Sequence, residues 1–227
     1  MKIELIVFDM AGTTVYDNDD VHEALIIAFK AYGMEISRKA ANSVMGLAKP
    51  TAIKQLLEFK YAGDRPIDKA FINEIFERFQ EEMIAFYQVK ENVAEKEGVT
   101  ETFRALKKKG IKIALDTGFS RKVVEVILEN LKWQEDELID CSVTSDEVVN
   151  GRPYPDMIFK AMAETKVNKV KNVVKVGDTV SDIQEGLKAG CGLVIGVTTG
   201  ADDKKTLKKE KPTHLIEKLT EILHIVS

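Results

Sequence analysis

Asp9, Thr117, Arg152, Asp178 and Asp182 are residues of this chain whose types could do chemistry together. They occur in four segments: Asp9-Met10-Ala11-Gly12-Thr13-Thr14, Thr117-Gly118, Gly151-Arg152-Pro153-Tyr154-Pro155 and Gly177-Asp178-Thr179-Val180-Ser181-Asp182. Each falls at the end of an apolar run or in a loop beside one. If those ends share one cleft, it holds three carboxylates, a hydroxyl, a guanidinium and several backbone N–H groups. Carboxylates repel one another, so a hard cation such as Mg²⁺ is their natural complement. Arg152 cannot be neutralised and matches the fork of a phosphate. Thr117 and the Gly118 amide, at a helix entrance, suit an anion. A nucleophilic carboxylate with a cation and an anion hole points to chemistry at phosphorus through an aspartyl-phosphate. Each residue also has a plainer reading. Asp9 could cap a turn, Asp178 and Asp182 could favour a helix dipole, Arg152 could be a surface ion-pair partner, and Thr117 could be an N-cap.

Positioning these residues requires particular elements. The run Ile3-Glu4-Leu5-Ile6-Val7-Phe8 reads as a buried strand that delivers Asp9 at its C-terminal end. From Val21 to about Val89 the pattern is helical. The acidic turn 17–20 can cap a helix over 21–32, which Gly33 stops. A second helix is predicted over 37–44, ended by Gly46, and a third starts near Lys49 beside Pro50. A long amphipathic helix then carries Phe71, Ile75, Phe79, Met83 and Phe86 on one apolar stripe. From Gly98 the rhythm alternates. Helices are predicted over 100–109, from Ser120 as cap through Leu128, from Pro155 through Met162, over 180–189 and over 214–223. Strands are predicted over 111–117, 138–143, 172–177 and 192–197. Such alternation implies an α/β fold with a doubly wound parallel sheet, whose strand ends converge on one cleft. Residues 1–15 and 91–227 would form the α/β core. Residues 16–90 would form an inserted α-helical cap domain above Asp9.

Chain-wide features narrow the function classes. The formal net charge is −4 with charged residues at 31%, and the basic residues are dispersed, so a nucleic-acid surface is not expected. No apolar run approaches the roughly 20 residues that span a bilayer. The chain runs directly into its first strand without a signal-peptide pattern. Cys141 and Cys191 make no metal or redox spacing, and they read as two small core residues, with one disulfide as the alternative. These features point to a cytoplasmic protein. Ala24, Leu25, Ile27 and Ala28 could pair with a second copy in a homodimer, and are equally a core stripe.

The four segments resemble the haloacid dehalogenase (HAD) superfamily from residue 3 to about 200. The resemblance implies a Rossmann-like core, Mg²⁺ as cofactor and a mobile helical cap. It implies Asp9 as nucleophile, and Thr117 and Arg152 as ligands of the phosphoryl oxygens, with Gly12, Thr13 and Gly118 in the same binding loops. Asp178 would hold the metal with Asp9 and the backbone carbonyl of Ala11, and Asp182 would be a supporting acid.

Ala11 is the informative departure. Phosphomonoesterases of this superfamily usually carry a second Asp there to protonate the leaving alkoxide, and losing such an acid costs about 10²–10⁴-fold in rate. The phosphonatase (phosphonoacetaldehyde hydrolase) branch has Ala at that position. There a cap lysine forms a Schiff base that accepts the electrons of the breaking C–P bond. Met45-Gly46-Leu47-Ala48-Lys49 is similar to that branch's lysine loop, which implies Gly46 and Lys49 in the site. Two positions differ from the branch: Ala52 stands where it has a His, and Phe119 where it has a Tyr. The expected function is a Mg²⁺-dependent hydrolase of a small phosphonate or phosphate, most specifically a phosphonatase. The alternatives are a phosphatase for a small ester or acyl phosphate, and a non-catalytic phospho-ligand-binding protein.

Overall fold

The computed structural model describes residues 2–17 and 19–226, so Asn18 of the acidic turn lies outside the described residues. β1 (Leu5–Asp9) is buried at every position. Its side chains are apolar on both faces because both faces are covered. Ile6 and Phe8 join Ile113, Leu115, Val174 and Val176 in one core, while Leu5 and Val7 join Ala114, Val143 and Val173 in the other.

The sheet also contains β2 (Lys112–Thr117), β3 (Cys141–Thr144), β4 (Val173–Gly177), β5 (Leu193–Val197) and β6 (His214–Ile216). All pairings are parallel in the order β3-β2-β1-β4-β5-β6. Chain order reverses at β1, so the cleft opens at the carboxyl ends of β1 and its neighbours, where Asp9, Thr117 and Asp178 emerge. This is the doubly wound α/β fold expected from the alternation.

Between β1 and β2 lie α1 (Asp20–Lys30), α2 (Arg38–Asn42), α3 (Lys49–Lys60) and α4 (Lys69–Gln88). Ser37 caps α2 by accepting from Ala40 N, and Asp68 caps α4 by accepting from Phe71 N. The α4 stripe buries Phe71, Ile75, Phe79, Met83 and Tyr87. Phe86 is only half-buried. Counting four residues on from Met83 reaches Tyr87, so the stripe ends one residue later than expected.

The remaining helices are α5 (Val99–Lys108), α6 (Arg121–Leu131), α7 (Asp156–Glu164), α8 (Val180–Ala189), α9 (Lys204–Lys209) and α10 (Ile222–Ile225). Ser120 holds the N-cap position of α6 but bonds no helix amide with its side chain, and its hydroxyl accepts from Gln80 Nε2 of α4 instead.

The chain's end differs from expectation. In place of one helix over 214–223, residues His214–Ile216 form edge strand β6, followed by a 3₁₀ turn (Leu219–Glu221) and α10. Thr198 N donates to Ile216 O at 2.9 Å, so pairing with β5 captures a segment too short to show a strand period. Helix α9 is also unexpected, because Leu207 is its one buried residue. Cys141 and Cys191 are free thiols. No helix among the described residues is long and apolar enough to cross a membrane.

Phe103 is fully buried between Phe8 and Trp133, with ring centroids 5.1 and 5.3 Å away. Phe103→Ala is expected to lower unfolding free energy by about 3–5 kcal/mol in urea titrations. Phe59→Ala, at a side chain 76% exposed, is expected to change it by less than about 0.5 kcal/mol.

Candidate active site

Asp9 closes β1 and receives Arg152 Nη1 on its Oδ1 at 2.6 Å. Among the described residues Asp9 Oδ2 makes no hydrogen bond. Arg152 is 2% exposed. Its Nη2 donates to the Asp116 backbone carbonyl at 2.8 Å and to the Asp116 carboxylate, and its Nε donates to Glu185 Oε2 at 3.1 Å. Asp182 Oδ1 lies 3.0 Å from Arg152 Nη1 and 3.1 Å from Lys175 Nζ, close enough for ion pairing but not aligned as a hydrogen bond. Lys175 also contacts the carboxylate of Asp116 and lies 3.0 Å from Glu185 Oε2.

Asp116, Lys175 and Glu185 were not anticipated. The register explains their meeting. Asp116 pairs with Asp9 and Lys175 with Val7, so alternation turns both side chains to the face that α7 and α8 cover. A charge inside a strand buried on both faces is the signal that could have found Asp116 and Lys175, since such a charge needs a partner.

Electrostatics follow from burial and these neighbours. Burial drives the Asp9 carboxyl well above its ordinary range, against Arg152. Burial and then Asp182 push Asp178 up to about 6. Burial and Asp116 push Glu185 up to about 8. For Asp116 the burial effect is outweighed by Arg152 and Lys175, which hold its carboxyl low. A proton on Glu185 shared with Asp116 accounts for Asp116 Oδ2 and Glu185 Oε1, which otherwise lack partners.

Asp178 follows β4. Its Oδ1 accepts from Thr13 Oγ1 at 2.7 Å and its Oδ2 from Ala201 N at 2.7 Å. Gly12 has φ +83°, and a Cβ there would lie 2.3 Å from Asp178 Oδ2, so only glycine lets the β1 loop pass this carboxylate. Lys96 fastens the same loop by donating to Gly12 O at 2.7 Å and to Thr199 Oγ1 at 3.0 Å. Asp182 is both an ion partner and the reciprocal cap of α8, accepting from Thr179 N at 3.1 Å. The helix-start reading of Asp182 therefore holds alongside its place in the cluster. One carboxylate oxygen each from Asp9, Asp178 and Asp182 lie within 4.8 Å of one another.

One cavity is lined by Asp9, Ala11, Gly46, Lys49, Thr117, Gly118, Arg152 and Asp178, together with Asp17, Phe119 and Thr179. Gly12, Thr13 and Asp182 do not line it; Gly12 and Thr13 lie against Asp178, and Asp182 beside Arg152. Lys49 arrives from the first turn of α3 and is 3% exposed. Its Nζ lies 5.7 and 5.8 Å from the ring centroids of Phe79 and Phe119, a weak cation–π arrangement. Burial pushes its ammonium down to about 8, opposed by Asp17 and then Asp9. The loop before α3 sits directly on the core. Gly46 has φ +76°, and a Cβ there would lie 2.3 Å from Thr179 Oγ1. A Cβ on Gly118 would lie 2.7 Å from Leu47 O, and one on Gly151 2.8 Å from Ala48 Cβ.

A model of the family described as haloacid dehalogenase-like hydrolase matches residues 6–197. The chain belongs to this family. The hydrolase is 36% identical to a phosphonoacetaldehyde hydrolase of Bacillus cereus over 89% of this chain and 78% of that protein. It is 34% identical to one of Bacillus cytotoxicus over 100% of this chain and 87% of that protein. In fold it is similar to a phosphonoacetaldehyde hydrolase-like protein from Oleispira antarctica, with TM-score 0.88 and 22% identity over 100% of this chain and 92% of that one. It is also similar to a putative phosphoglycolate phosphatase from Lactobacillus delbrueckii, with TM-score 0.81 and 21% identity over 100% of this chain and 99% of that one.

Two buried lysines of this hydrolase should respond oppositely to removal. Lys49→Met is expected to stabilise the fold by about 3 kcal/mol at pH 7, because burial holds the ammonium at about 8 against 10.5 in the unfolded chain. Below pH 8 both states are protonated and the full gain applies. It fades between pH 8 and 10.5, where the folded amine is neutral and the unfolded one still charged. Lys175→Met is expected to destabilise by about 3–5 kcal/mol, since it strands Asp116, Asp182 and Glu185. Chemical denaturation as a function of pH measures both.

Proposed function

We propose that this hydrolase cleaves the C–P bond of a small phosphonate bearing an aldehyde, with Lys49 as Schiff-base lysine, Asp9 as nucleophile and Mg²⁺ as cofactor. The observation that carries the reading is Lys49 itself: a buried amine, pushed towards neutrality, in the same cavity as Asp9. Phosphonoacetaldehyde, named for the curated relatives, is the first substrate to test.

The donor set fits a hard divalent cation. Five buried carboxyls (Asp9, Asp116, Asp178, Asp182 and Glu185) face two buried cations, Arg152 and Lys175. One proton on Glu185 and one divalent cation would leave the cluster neutral. Asp9, Asp178 and the Ala11 carbonyl would hold the ion, with Asp182 behind them. Bound there, Mg²⁺ offsets the charge of the phosphoryl oxygens.

The chain's residues then divide the work. Lys49 attacks the aldehyde carbon as a neutral amine and becomes an iminium. Asp9 Oδ2, free of hydrogen bonds, attacks phosphorus, while Arg152 fixes Oδ1 and with it the carboxylate's orientation. The electron pair of the C–P bond passes into the iminium as an enamine, so no acid is needed on the leaving group and Ala11 suffices. Thr117 and the Gly118 amide receive phosphoryl oxygens. Water then releases phosphate from Asp9, and protonation of the enamine on carbon followed by hydrolysis of the iminium frees Lys49 and the aldehyde product. Helices α1 to α4 act as the cap that brings Lys49 to the core.

A second reading rests on Ala52 and Phe119, which leave out a His and a Tyr of the phosphonatase branch. Under it the substrate is an acyl phosphate, whose leaving group needs little acid help.

Borohydride added with phosphonoacetaldehyde is expected to trap an adduct on Lys49, seen by peptide mass spectrometry. The trapping rate should rise with pH and level off above about 8, as the amine loses its proton. Asp9→Asn should keep the adduct and release no phosphate. Phosphate release from acetyl phosphate without any Lys49 adduct would instead favour the second reading. Chelation with EDTA should abolish phosphate release and Mg²⁺ should restore it. Because Asp178 sits near 6, Mg²⁺ binding at pH 6 should expel protons, measured by titration calorimetry in buffers of different ionisation enthalpy.

A further inference from the structure

Lys49 enters the cavity without a hydrogen bond or ion pair among the described residues. Any carbonyl chemistry there must move two protons. The ammonium must shed one before it attacks, and the carbinolamine hydroxyl must gain one before it leaves as water. The cavity wall limits what can carry them. Phe119 has no hydroxyl, and Ala52, buried one turn along α3, has no polar side-chain atom. Thr179 Oγ1 is committed to Asp182, and a threonine hydroxyl does not titrate near neutrality. Asp9 and Asp178 serve phosphorus and the cation.

Asp17 is the remaining carboxyl on the cavity wall. It lies where the chain leaves the β1 loop for α1. Its Oδ1 accepts from Val21 N at 3.3 Å, which holds the carboxylate in place, and Val21 lines the same cavity. Among the charges acting on the Lys49 ammonium, Asp17 has the largest influence, ahead of Asp9.

We propose that Asp17 is the proton carrier for the amine chemistry of Lys49. The proposal rests on the Schiff-base reading above. The Asp17 carboxylate takes a proton from the Lys49 ammonium, leaving a neutral amine and a carboxylic acid. The amine nitrogen forms a bond to the aldehyde carbon while the C=O π pair moves to oxygen, and the nitrogen's extra proton passes to that oxygen. Asp17 then protonates the resulting hydroxyl. The C–O bond breaks, water leaves, and the nitrogen lone pair closes the C=N bond. Asp17 ends as a carboxylate and Lys49 as an iminium, so the net change is loss of one water between ammonium and aldehyde.

The plainer role of Asp17 is to anchor the first turn of α1 through Val21 N. Asp17→Asn keeps that acceptor and removes the acid. The test uses the full chain with Mg²⁺ and phosphonoacetaldehyde as the probe, with timed borohydride quenching to give the rate of adduct formation on Lys49. Inhibition by inorganic phosphate reports whether the phosphoryl site is intact. Asp17→Asn is expected to slow adduct formation by about 10²-fold with the phosphate inhibition constant unchanged. Asp17→Glu should recover to within about tenfold of the wild-type rate. Asp17→Ser, which can also accept from Val21 N and cannot titrate, should match Asn and serves if the Asn variant folds poorly. Adduct formation at the wild-type rate in either non-titrating variant would overturn the proposal and leave the Lys49 reading standing. A slower rate matched by equally weakened phosphate inhibition would also overturn it, as a structural effect. A wild-type chain that forms no adduct would overturn the Lys49 reading, and the role of Asp17 with it.

Discussion

The ion pair between Arg152 and Asp9 is held out of water, and much of the sheet's carboxyl edge is what that burial requires. Guanidinium cannot shed its proton, and taking such a charge from water costs several kcal/mol. The structure offsets this with an acceptor for every nitrogen and a further carboxylate beside them, drawn from separate elements: Asp9 from β1, Asp116 from β2 and Glu185 from α8 accept, and Asp182 of α8 adds an ion pair. Those carboxylates in turn need Lys175 from β4. The orientation of the Asp9 carboxylate is therefore a property of the whole sheet edge. No single loop sets it.

Lys49 and Lys175 are both buried, and their surroundings make them different chemical objects. Lys175 sits among three carboxylates, which together hold its ammonium above the ordinary lysine range although burial and Arg152 push the other way. Lys49 faces two phenyl rings and a cavity. With no ion pair among the described residues, burial outweighs the pull of Asp17 and Asp9, and the amine moves towards neutrality. The charges around a buried lysine, more than its depth, decide whether it stays an ammonium or moves towards neutrality.

Much of this was legible in the sequence. The β1 run and the paired Asp178 and Asp182 segment marked their strands, because an apolar run that stops abruptly at an acid fits the carboxyl end of a buried strand. Lys49 stood out through the nearby Gly46 and through the missing acid at Ala11, and the cavity does bring Lys49, Gly46 and Asp9 together. What escaped has physical reasons. β6 is three residues long and owes its form to hydrogen bonds with β5, which no local period encodes. The α9 segment is mostly lysine and buries one leucine, so its helix rests on the Asp203 cap bond to Thr206 N at 2.7 Å. Asp116, Lys175 and Glu185 are far apart in the chain, and only strand register and the packing of α8 make them one cluster. Asp17 looked like part of an acidic turn, because a cap and a cavity wall ask for the same residue type.

The contact between the inserted helices and the sheet edge has an evolutionary consequence. At the loop before α3 it is made where Gly46, Gly118 and Gly151 bring backbone against backbone or against the short side chains of Thr179 and Ala48. Such a junction carries little side-chain information that must match across it. The helices can exchange residues on their inner wall, and so change which molecule is admitted, without a compensating change in the strands that hold Asp9. One carboxylate-lined floor can thus serve under many different ceilings.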